Sequence, residues 1–165
     1  MDVLTKVSKK LAAFLIVAVS AAVFAASQGP LKILLDAYKV TYEVVNGTVK
    51  EKLVPLGKEV EPGDVIEFHI LAQNTSNQTL KNIYIYGKIP VGTKYVPGSA
   101  SDSPEFSIDG GKTFQKPPVK YTVEVNGTKV EKIATPDMYT DIRWFVPELK
   151  PQESITFKYR VEVKK

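Results

Sequence analysis

The sequence predicts an all-β fold in which two sheets pack face to face as a sandwich, preceded by a short export signal. After the first 25 residues, apolar and polar side chains alternate with a period of two, which is typical of half-buried strands. Turn signals recur roughly every 8–12 residues, the spacing of a sandwich or barrel. There are no cysteines, so a packed core must hold the chain together without a disulfide framework.

The first 25 residues have the layout of a cleavable secretory signal. Three lysines form a basic start, the stretch Leu11–Phe24 is almost wholly apolar, and the small residue Ala25 ends it. The apolar run is shorter than the roughly 20 residues of a membrane-spanning helix, so an uncleaved anchor is the alternative. We predict a signal peptide over residues 1–25 and a single domain over residues 26–165. This domain is exported and free of the membrane after cleavage.

Turn residues divide the first half of this domain into strands. Asn46-Gly47 predicts a two-residue hairpin because both residues tolerate positive φ. Pro62-Gly63 predicts a second turn, since proline presets φ and glycine supplies the left-handed position. The strands predicted in this half are Leu31–Val45, Thr48–Pro55, Val65–Asn74, Leu80–Ile89 and Lys94–Val96.

The second half is predicted to hold two more hairpins and two long strands. Asp109-Gly110-Gly111 and Asn126-Gly127 are hairpin turn signals. A proline-containing turn over residues 147–151 is expected before the last strand. The strands predicted in this half are Glu105–Ile108, Lys112–Gln115, Tyr121–Val125, Thr128–Ile133, Asp141–Val146 and Ser154–Val163.

One face of each long strand is expected to supply the hydrophobic core. Burial of apolar surface stabilises the folded state by about 25 cal/mol per Å², so such a core can hold the fold together without cross-links. The predicted core residues are Ile66, Phe68, Ile70, Ile83, Ile85, Trp144, Phe157 and Val161.

Two stretches of the sequence resemble a known family. The first, Val60–Ala100, contains VEPGD, LKNIYI and IPVGTKYVPGSA, and the second, Ile142–Ser154, reads IRWFVPELKPQES. Both are similar to the Ig-like surface-protein repeat called domain of unknown function eleven. The resemblance implies an immunoglobulin-like sandwich in an exported or surface protein, and it implies no activity and no binding residues. The single copy and the two hairpins between Ser99 and Asp141 depart from the family's pattern.

The sequence shows no catalytic or metal-binding set of residues. His69 is the sole histidine and has no nucleophile or second ligand at a useful spacing. The aspartates lack the tight spacing of a calcium loop. Basic residues are scattered among acidic ones, and the formal net charge is only +4, which predicts no nucleic-acid surface. We therefore predict a protein that is not an enzyme and uses no cofactor or metal.

The segment Ser107–Phe114 fits the pattern of the Asp-box, a hairpin of sialidase-like propellers. Asp109 is expected to accept hydrogen bonds from the amides of the glycine turn, with an aromatic residue packed beneath. A propeller needs several four-stranded blades, which this chain is too short to form. We interpret the segment as a structural hairpin and not as part of a glycosidase.

Tyr84 and Tyr86 are two residues apart on one predicted strand, so they share a face opposite its core residues. If the strand of His69 and Gln73 is their neighbour, these four residues form a polar, tyrosine-rich interface for a protein or a glycan. The alternative is that the tyrosines serve in cross-strand packing or lie beneath the long first strand.

Four glycosylation sequons lie at predicted turns or loops of the exported chain, where a glycan could be attached. Turn geometry alone is the alternative explanation, because asparagine and Asn-Gly are favoured in turns. The acceptor residues are Asn46, Asn74, Asn77 and Asn126.

These features favour an exported, non-enzymatic structural or adhesive module of the cell envelope or surface. Its expected partners are other surface proteins or glycans, and self-assembly by strand exchange is a further option, with the segment from Leu31 as donor. A soluble glycan- or protein-binding module centred on Tyr84 and Tyr86 is the second hypothesis. A hydrolase is the third, and it lacks a nucleophile–base pair.

Overall fold

The computed structural model describes residues 29–165, so the signal peptide predicted over residues 1–25 lies outside the described residues. Within residues 29–165 the regular structure is entirely β apart from one 3-10 turn, Pro136–Met138. The strands are β1 Leu31–Val45, β2 Thr48–Pro55, β3 Val65–Asn74, β4 Leu80–Lys88, β5 Thr93–Tyr95, β6 Glu105–Ser107, β7 Lys120–Val125, β8 Thr128–Ile133, β9 Asp141–Leu149 and β10 Ser154–Val163.

The described strands form two larger antiparallel sheets and a two-stranded ribbon. The larger sheet has the order β2-β1-β3-β10-β5, and the smaller sheet has the order β4-β9-β6. The ribbon consists of β7 and β8, which pair across the predicted Asn126-Gly127 turn. The prediction of an all-β, sandwich-like fold is confirmed at this level.

Aromatic side chains from the two sheets meet in the core. Trp144 on β9 stacks against Phe157 on β10 with ring centroids 4.9 Å apart, and Tyr159 lies 5.9 Å from the same tryptophan. Ile83 is only partly buried, because β4 is the edge strand of the smaller sheet. The other predicted core residues are buried: Ile66, Phe68, Ile70, Ile85, Trp144, Phe157 and Val161.

Gly87 lets the two sheets approach closely. A Cβ at this position would lie 2.9 Å from Cγ2 of Ile142 and 3.0 Å from the ring of Tyr159. Tyr159 crosses from the larger sheet at this point, and its hydroxyl donates to the carbonyl of Lys88 at 2.6 Å. Burial raises the pKa of Tyr159 far above its ordinary value, so the hydroxyl stays a donor.

The β1–β2 hairpin bends over the outer face of the larger sheet. β3 pairs with β1 only as far as Lys39, and beyond it the hairpin is paired with itself. Arg160, on β10, donates from Nη1 to Glu51 of β2 at 2.9 Å and from Nε to Glu67 of β3 at 2.6 Å. Because β3 lies between this hairpin and β10 in the sheet, the hairpin must lean across β3 to make this contact.

Two local predictions are wrong. Lys112–Gln115 is not a strand; only Gln115 pairs, through a single bridge to Phe106. The turn predicted over residues 147–151 begins later, at Lys150, because β9 continues to Leu149 and the amide of Glu153 donates to the carbonyl of Lys150. β6 pairs only with the beginning of β9, so no strand pairs with that side of β9 at Pro147. Proline has no amide proton to donate, and it is tolerated in a strand at such an unpaired position.

Candidate interaction surface

The outer face of the smaller sheet carries exposed aromatic side chains from two paired strands. Tyr84 and Tyr86 of β4 lie directly opposite Phe145 and Arg143 of β9. The exposed fraction is 56% for Tyr86, 50% for Phe145 and 38% for Tyr84. Phe114 packs beside Tyr86 from the loop after β6. We call these five residues the aromatic face.

The rings of the aromatic face contact one another but do not lie in one plane. The centroid of Tyr84 is 5.2 Å from Phe145 and 6.3 Å from Tyr86, and Tyr86 is 5.7 Å from Phe114. The interplanar angles of these three pairs are 51°, 44° and 66°. The surface is therefore apolar and uneven, with ring edges and ring faces both accessible.

Arg143 holds two sides of the aromatic face together. Its guanidinium carbon lies 4.1 Å from the ring centroid of Tyr84 and 4.3 Å from that of Phe114, within cation–π range. Its Nε donates to Glu105 on β6 at 2.6 Å. Burial alone would lower the pKa of Arg143, but the Glu105 carboxylate outweighs it and raises the pKa, so the cation is permanent.

The loop that places Phe114 is built around Asp109. Its Oδ1 accepts hydrogen bonds from the amides of Lys112 and Thr113 at 3.1 and 2.9 Å and from the hydroxyl of Ser107 at 2.7 Å. These bonds, that of Ser107 first, hold the pKa of Asp109 well below its ordinary value. Asp109 was predicted to bond the amides of the glycine turn; it bonds instead the two amides that follow the glycines, while the amides of Gly110 and Gly111 donate to Thr140 and Ser107. The effect of the loop is to hold Phe114 beside Tyr86.

The structure separates Tyr84 and Tyr86 from His69 and Gln73. The strand β3, which carries His69 and Gln73, lies between β1 and β10 in the larger sheet, whereas β4 pairs with β9 in the smaller one. The chain crosses from one sheet to the other between β3 and β4, so the two pairs of residues cannot share a face. His69 instead bonds Glu67 at 2.6 Å through Nε2 and packs against Tyr38.

Sequence reasoning missed Phe145, Arg143 and Phe114 as members of the surface. The alternation around Trp144 implied that its two neighbours point outward. Their position beside Tyr84 depended on the β4–β9 pairing, which joins residues far apart in the chain. The sequence pattern indicates Phe114 only as the aromatic residue of the Asp109 hairpin.

The four sequons fall into two groups. Asn46, Asn77 and Asn126 are exposed, and the first and last have positive φ in their hairpin turns. Asn74 is fully buried, and its Nδ2 donates to the carbonyls of Gln78, Leu149 and Lys150. The folded domain therefore leaves Asn74 unavailable to carry a glycan.

The described chain holds no group of three His, Cys, Asp or Glu side chains close enough together to bind a metal ion. Asp141 is a buried carboxylate, with its Oδ1 paired to the ammonium of Lys88. Its neighbour Gly111 approaches so closely that a Cβ there would lie 3.3 Å from Oδ1. Among residues 29–165, no helix is long and apolar enough to span a bilayer.

Comparison of the chain with protein-family models, with curated proteins and with solved structures gave no match.

Proposed function

We propose that this protein is an exported, non-enzymatic structural or adhesive module of the cell envelope or surface that acts by protein–protein contact through the aromatic face. The observation that carries the proposal is the cluster of exposed rings around Arg143 on the outer side of the smaller sheet. Exposed aromatic residues grouped on one face mark an interaction site more often than isolated ones do.

The composition of the aromatic face matches the energetic centre of a protein interface. Tyrosine, phenylalanine and arginine are enriched in interface cores, and tyrosine and arginine are enriched among hot-spot residues. The side chains are also held in place before a partner arrives, since Arg143 is fixed by Glu105 and Phe114 by the Asp109 loop. Less side-chain entropy is then lost on binding.

The tilt of the rings favours a protein over a sugar. A pyranose ring stacks best on a flat, open aromatic face, whereas neighbouring rings here meet at angles of 44–66°. A protein side chain can fit between tilted rings. A soluble glycan-binding module remains the second candidate, and the phenol hydroxyls of Tyr84 and Tyr86 beside partly exposed rings are the observation that favours it.

Export and an immunoglobulin-like character of the sandwich are part of this proposal. The signal-like layout of residues 1–25 supports export. The similarity of Val60–Ala100 and Ile142–Ser154 to the Ig-like surface repeat supports a place in the envelope. The same similarity and the packing of two antiparallel sheets support the immunoglobulin-like character. β1 pairs here with β2 and β3 of its own chain. Contact through side chains is therefore a simpler route to assembly than strand exchange.

The test is a comparison of two surface variants of the domain. Tyr86→Ser with Phe145→Ser removes apolar area from the aromatic face, and Tyr42→Ser with Val44→Ser removes exposed apolar area from the β1–β2 hairpin as a matched control. Each protein is immobilised and exposed to solubilised envelope proteins of the source cells. We expect the first variant to lose at least about tenfold in partner retention, equivalent to about 1.4 kcal/mol, while the control retains the partner.

Thermal unfolding of both variants checks that neither change disrupts the fold. We expect both to unfold at nearly the wild-type temperature, because all four replaced side chains are exposed. Equal retention by the wild-type domain and the aromatic-face variant would contradict the proposal. Binding of defined oligosaccharides by the wild-type domain, lost in the aromatic-face variant, would favour the second candidate.

A further inference from the structure

The β7–β8 ribbon leaves the outer edge of β8 open to solvent. The base of the ribbon is anchored, because Val119 and Ala134 are buried and the amide of Ala134 donates to the carbonyl of Val119 at 2.8 Å. Beyond this base every residue of β8 is exposed, and among the described strands β8 pairs only with β7. A two-stranded ribbon alone is only marginally stable in water, so further strands would stabilise it.

The turn of the ribbon determines which backbone groups of β8 point to this open edge. Both turn residues have positive φ, which is the geometry of a tight hairpin whose flanking residues, here Val125 and Thr128, are hydrogen bonded to each other. Hydrogen-bonded and non-hydrogen-bonded pairs then alternate along the ladder. The N–H and C=O groups of Lys129, Glu131 and Ile133 therefore point away from β7 and can bond another strand.

Two other edges are less suited to pairing. At the outer edge of β7, Gln115 donates from Nε2 to the carbonyl of Lys120 at 2.8 Å and accepts from its amide at 3.1 Å, so both outward groups of this residue are occupied. The edge of β2 is unpaired, but its middle residues are Lys50, Glu51 and Lys52. Antiparallel pairing of two copies centred on any of these three places like charges opposite each other, which is unfavourable.

The open edge of β8 has one register in which opposite charges meet. A two-fold antiparallel pair is centred on a single residue, and the two middle residues of β8 are Val130 and Glu131. Centring on Glu131 would place two carboxylates opposite each other. Centring on Val130 instead places Lys129 of each copy opposite Glu131 of the other, and both residues direct their backbone groups to the shared edge.

The same register extends an apolar stripe on one face and a row of alternating charges on the other. Val130 is 38% exposed and lies opposite Val123 of β7, so two copies would bring four valines side by side. On the other face, Lys129 would lie between Glu124 of its own chain and Glu131 of the second copy. Both faces therefore favour this pairing.

We propose that two copies of this chain pair antiparallel through β8, centred on Val130, to form a four-stranded sheet. Glu131 already pairs with Lys120 of its own ribbon at 2.9 Å, and Lys129 of the second copy adds an opposite charge on its other side. A six-residue edge buries little surface, so the dimer is weak and its population depends on concentration. It uses no residue of the aromatic face, which stays available to another protein.

Disulfide trapping tests the register, because the chain has no cysteine of its own. In the proposed dimer the Cα atoms at position 130 are about 4.5 Å apart, a separation that a disulfide can bridge. We expect Val130→Cys to give a cross-linked dimer under mild oxidation. Val125→Cys, exposed on the same face of the ribbon, should stay mostly monomeric at the same concentration. No cross-linking of Val130→Cys, or equal cross-linking of both variants, would overturn the proposal.

Charge reversal tests the pairing without a covalent bond, by sedimentation equilibrium at protein concentrations up to about 1 mM. Lys129→Glu and Glu131→Lys each place like charges opposite in a dimer of identical chains, so each variant alone should dimerise about five- to tenfold more weakly than the wild type. An equimolar mixture of the two restores opposite charges in both pairs and should dimerise nearly as well as the wild type. A mixture no better than either variant alone would contradict the register.

Tyr86→Ser separates this dimer from the proposed function of the aromatic face. This substitution lies outside the ribbon and should leave dimerisation unchanged. A loss of dimerisation in Tyr86→Ser equal to that in Lys129→Glu, or a wild-type protein that stays monomeric at about 1 mM, would show that β8 does not pair two copies.

Discussion

Asn74 shows how a single residue can serve a different purpose from the one its sequence pattern suggests. In the sequence it begins an Asn-x-Ser sequon at the end of a strand. In the fold its amide joins the loop after β3 to the end of β9, with Nδ2 donors 2.7–3.1 Å from three carbonyl oxygens and Oδ1 accepting from the amide of Ser76. The bond to Leu149 is buried and therefore costly to lose, since water cannot replace it, whereas the other three are partly buried.

Replacing this residue should therefore destabilise the domain strongly. We expect Asn74→Ala to lower the free energy of unfolding by roughly 2–4 kcal/mol, because the buried carbonyl of Leu149 loses its donor and two partly buried bonds are lost with it. Asn77→Ala, in the exposed part of the same loop, is the matched control and should change stability by less than about 0.5 kcal/mol. Urea denaturation measures both; similar small effects would show that the buried amide is not a structural link.

At the scale of the element, the β1–β2 hairpin is fastened by charge. The hydrogen bond from Arg160, the largest influence on Glu51, lowers the pKa of this carboxyl. Burial would raise the pKa of Glu67, but its bonds to His69 and Arg160 lower it. A carboxyl whose pKa is lowered by folding stabilises the native state above its ordinary pKa, and this contribution is lost as the pH falls through the lowered pKa.

The hairpin contact should therefore weaken in acid. We expect the free energy of unfolding to fall as the pH is reduced from about 5 to 3, and Glu51→Gln to make this fall less steep. Glu51 is exposed, so solvent screening limits the cost of this substitution at neutral pH to about 0.5 kcal/mol. Glu43→Gln, which affects only the exposed pair with Lys52, is the control. Identical pH profiles for the wild type and Glu51→Gln would contradict the role of this contact.

Local turn chemistry made most elements predictable from the sequence. Asn46-Gly47 and Asn126-Gly127 occupy the two hairpin turns as expected. Asparagine and glycine adopt positive φ readily wherever they stand, so these turns can be predicted without knowledge of the rest of the fold. The segment after Asp109 was not predictable as a loop in the same way. Its conformation depends on which amides donate hydrogen bonds to the carboxylate of Asp109. These side-chain bonds compete with the backbone bonds of a strand, and the alternation of apolar and polar residues does not reveal which of the two forms.

At the scale of the whole molecule, the contact between the two sheets depends on the absence of a side chain at Gly87. Tyr159 occupies the space beside this glycine and bonds the backbone of the opposite sheet. The sequence predicted which side chains of β10 point into the core. It did not predict which strand of the opposite sheet they contact, because the sheets join segments that are distant in the chain. For the same reason the aromatic face could be predicted at Tyr84 and Tyr86 but not at Phe145.

A methyl group at this contact should force the sheets apart. We expect Gly87→Ala to lower the free energy of unfolding by about 1–3 kcal/mol, because the new Cβ would press on the rigid ring of Tyr159. Gly57→Ala is the control, since a Cβ there meets no atom within 4 Å and its φ is not in the left-handed range. Chemical denaturation of both variants tests this expectation, and a neutral Gly87→Ala would show that the close approach is not needed.

Site-specific photocrosslinking from the aromatic face, in cells that make the protein, tests the proposed function most directly. A photoreactive phenylalanine analogue is placed at position 86, on the aromatic face, and in a separate chain at position 73, on the outer side of the larger sheet. We predict a discrete protein adduct from position 86 that is absent from position 73 and lost when Phe145→Ser is added. No protein adduct from position 86, or the same adduct from both positions, would contradict the role of this surface.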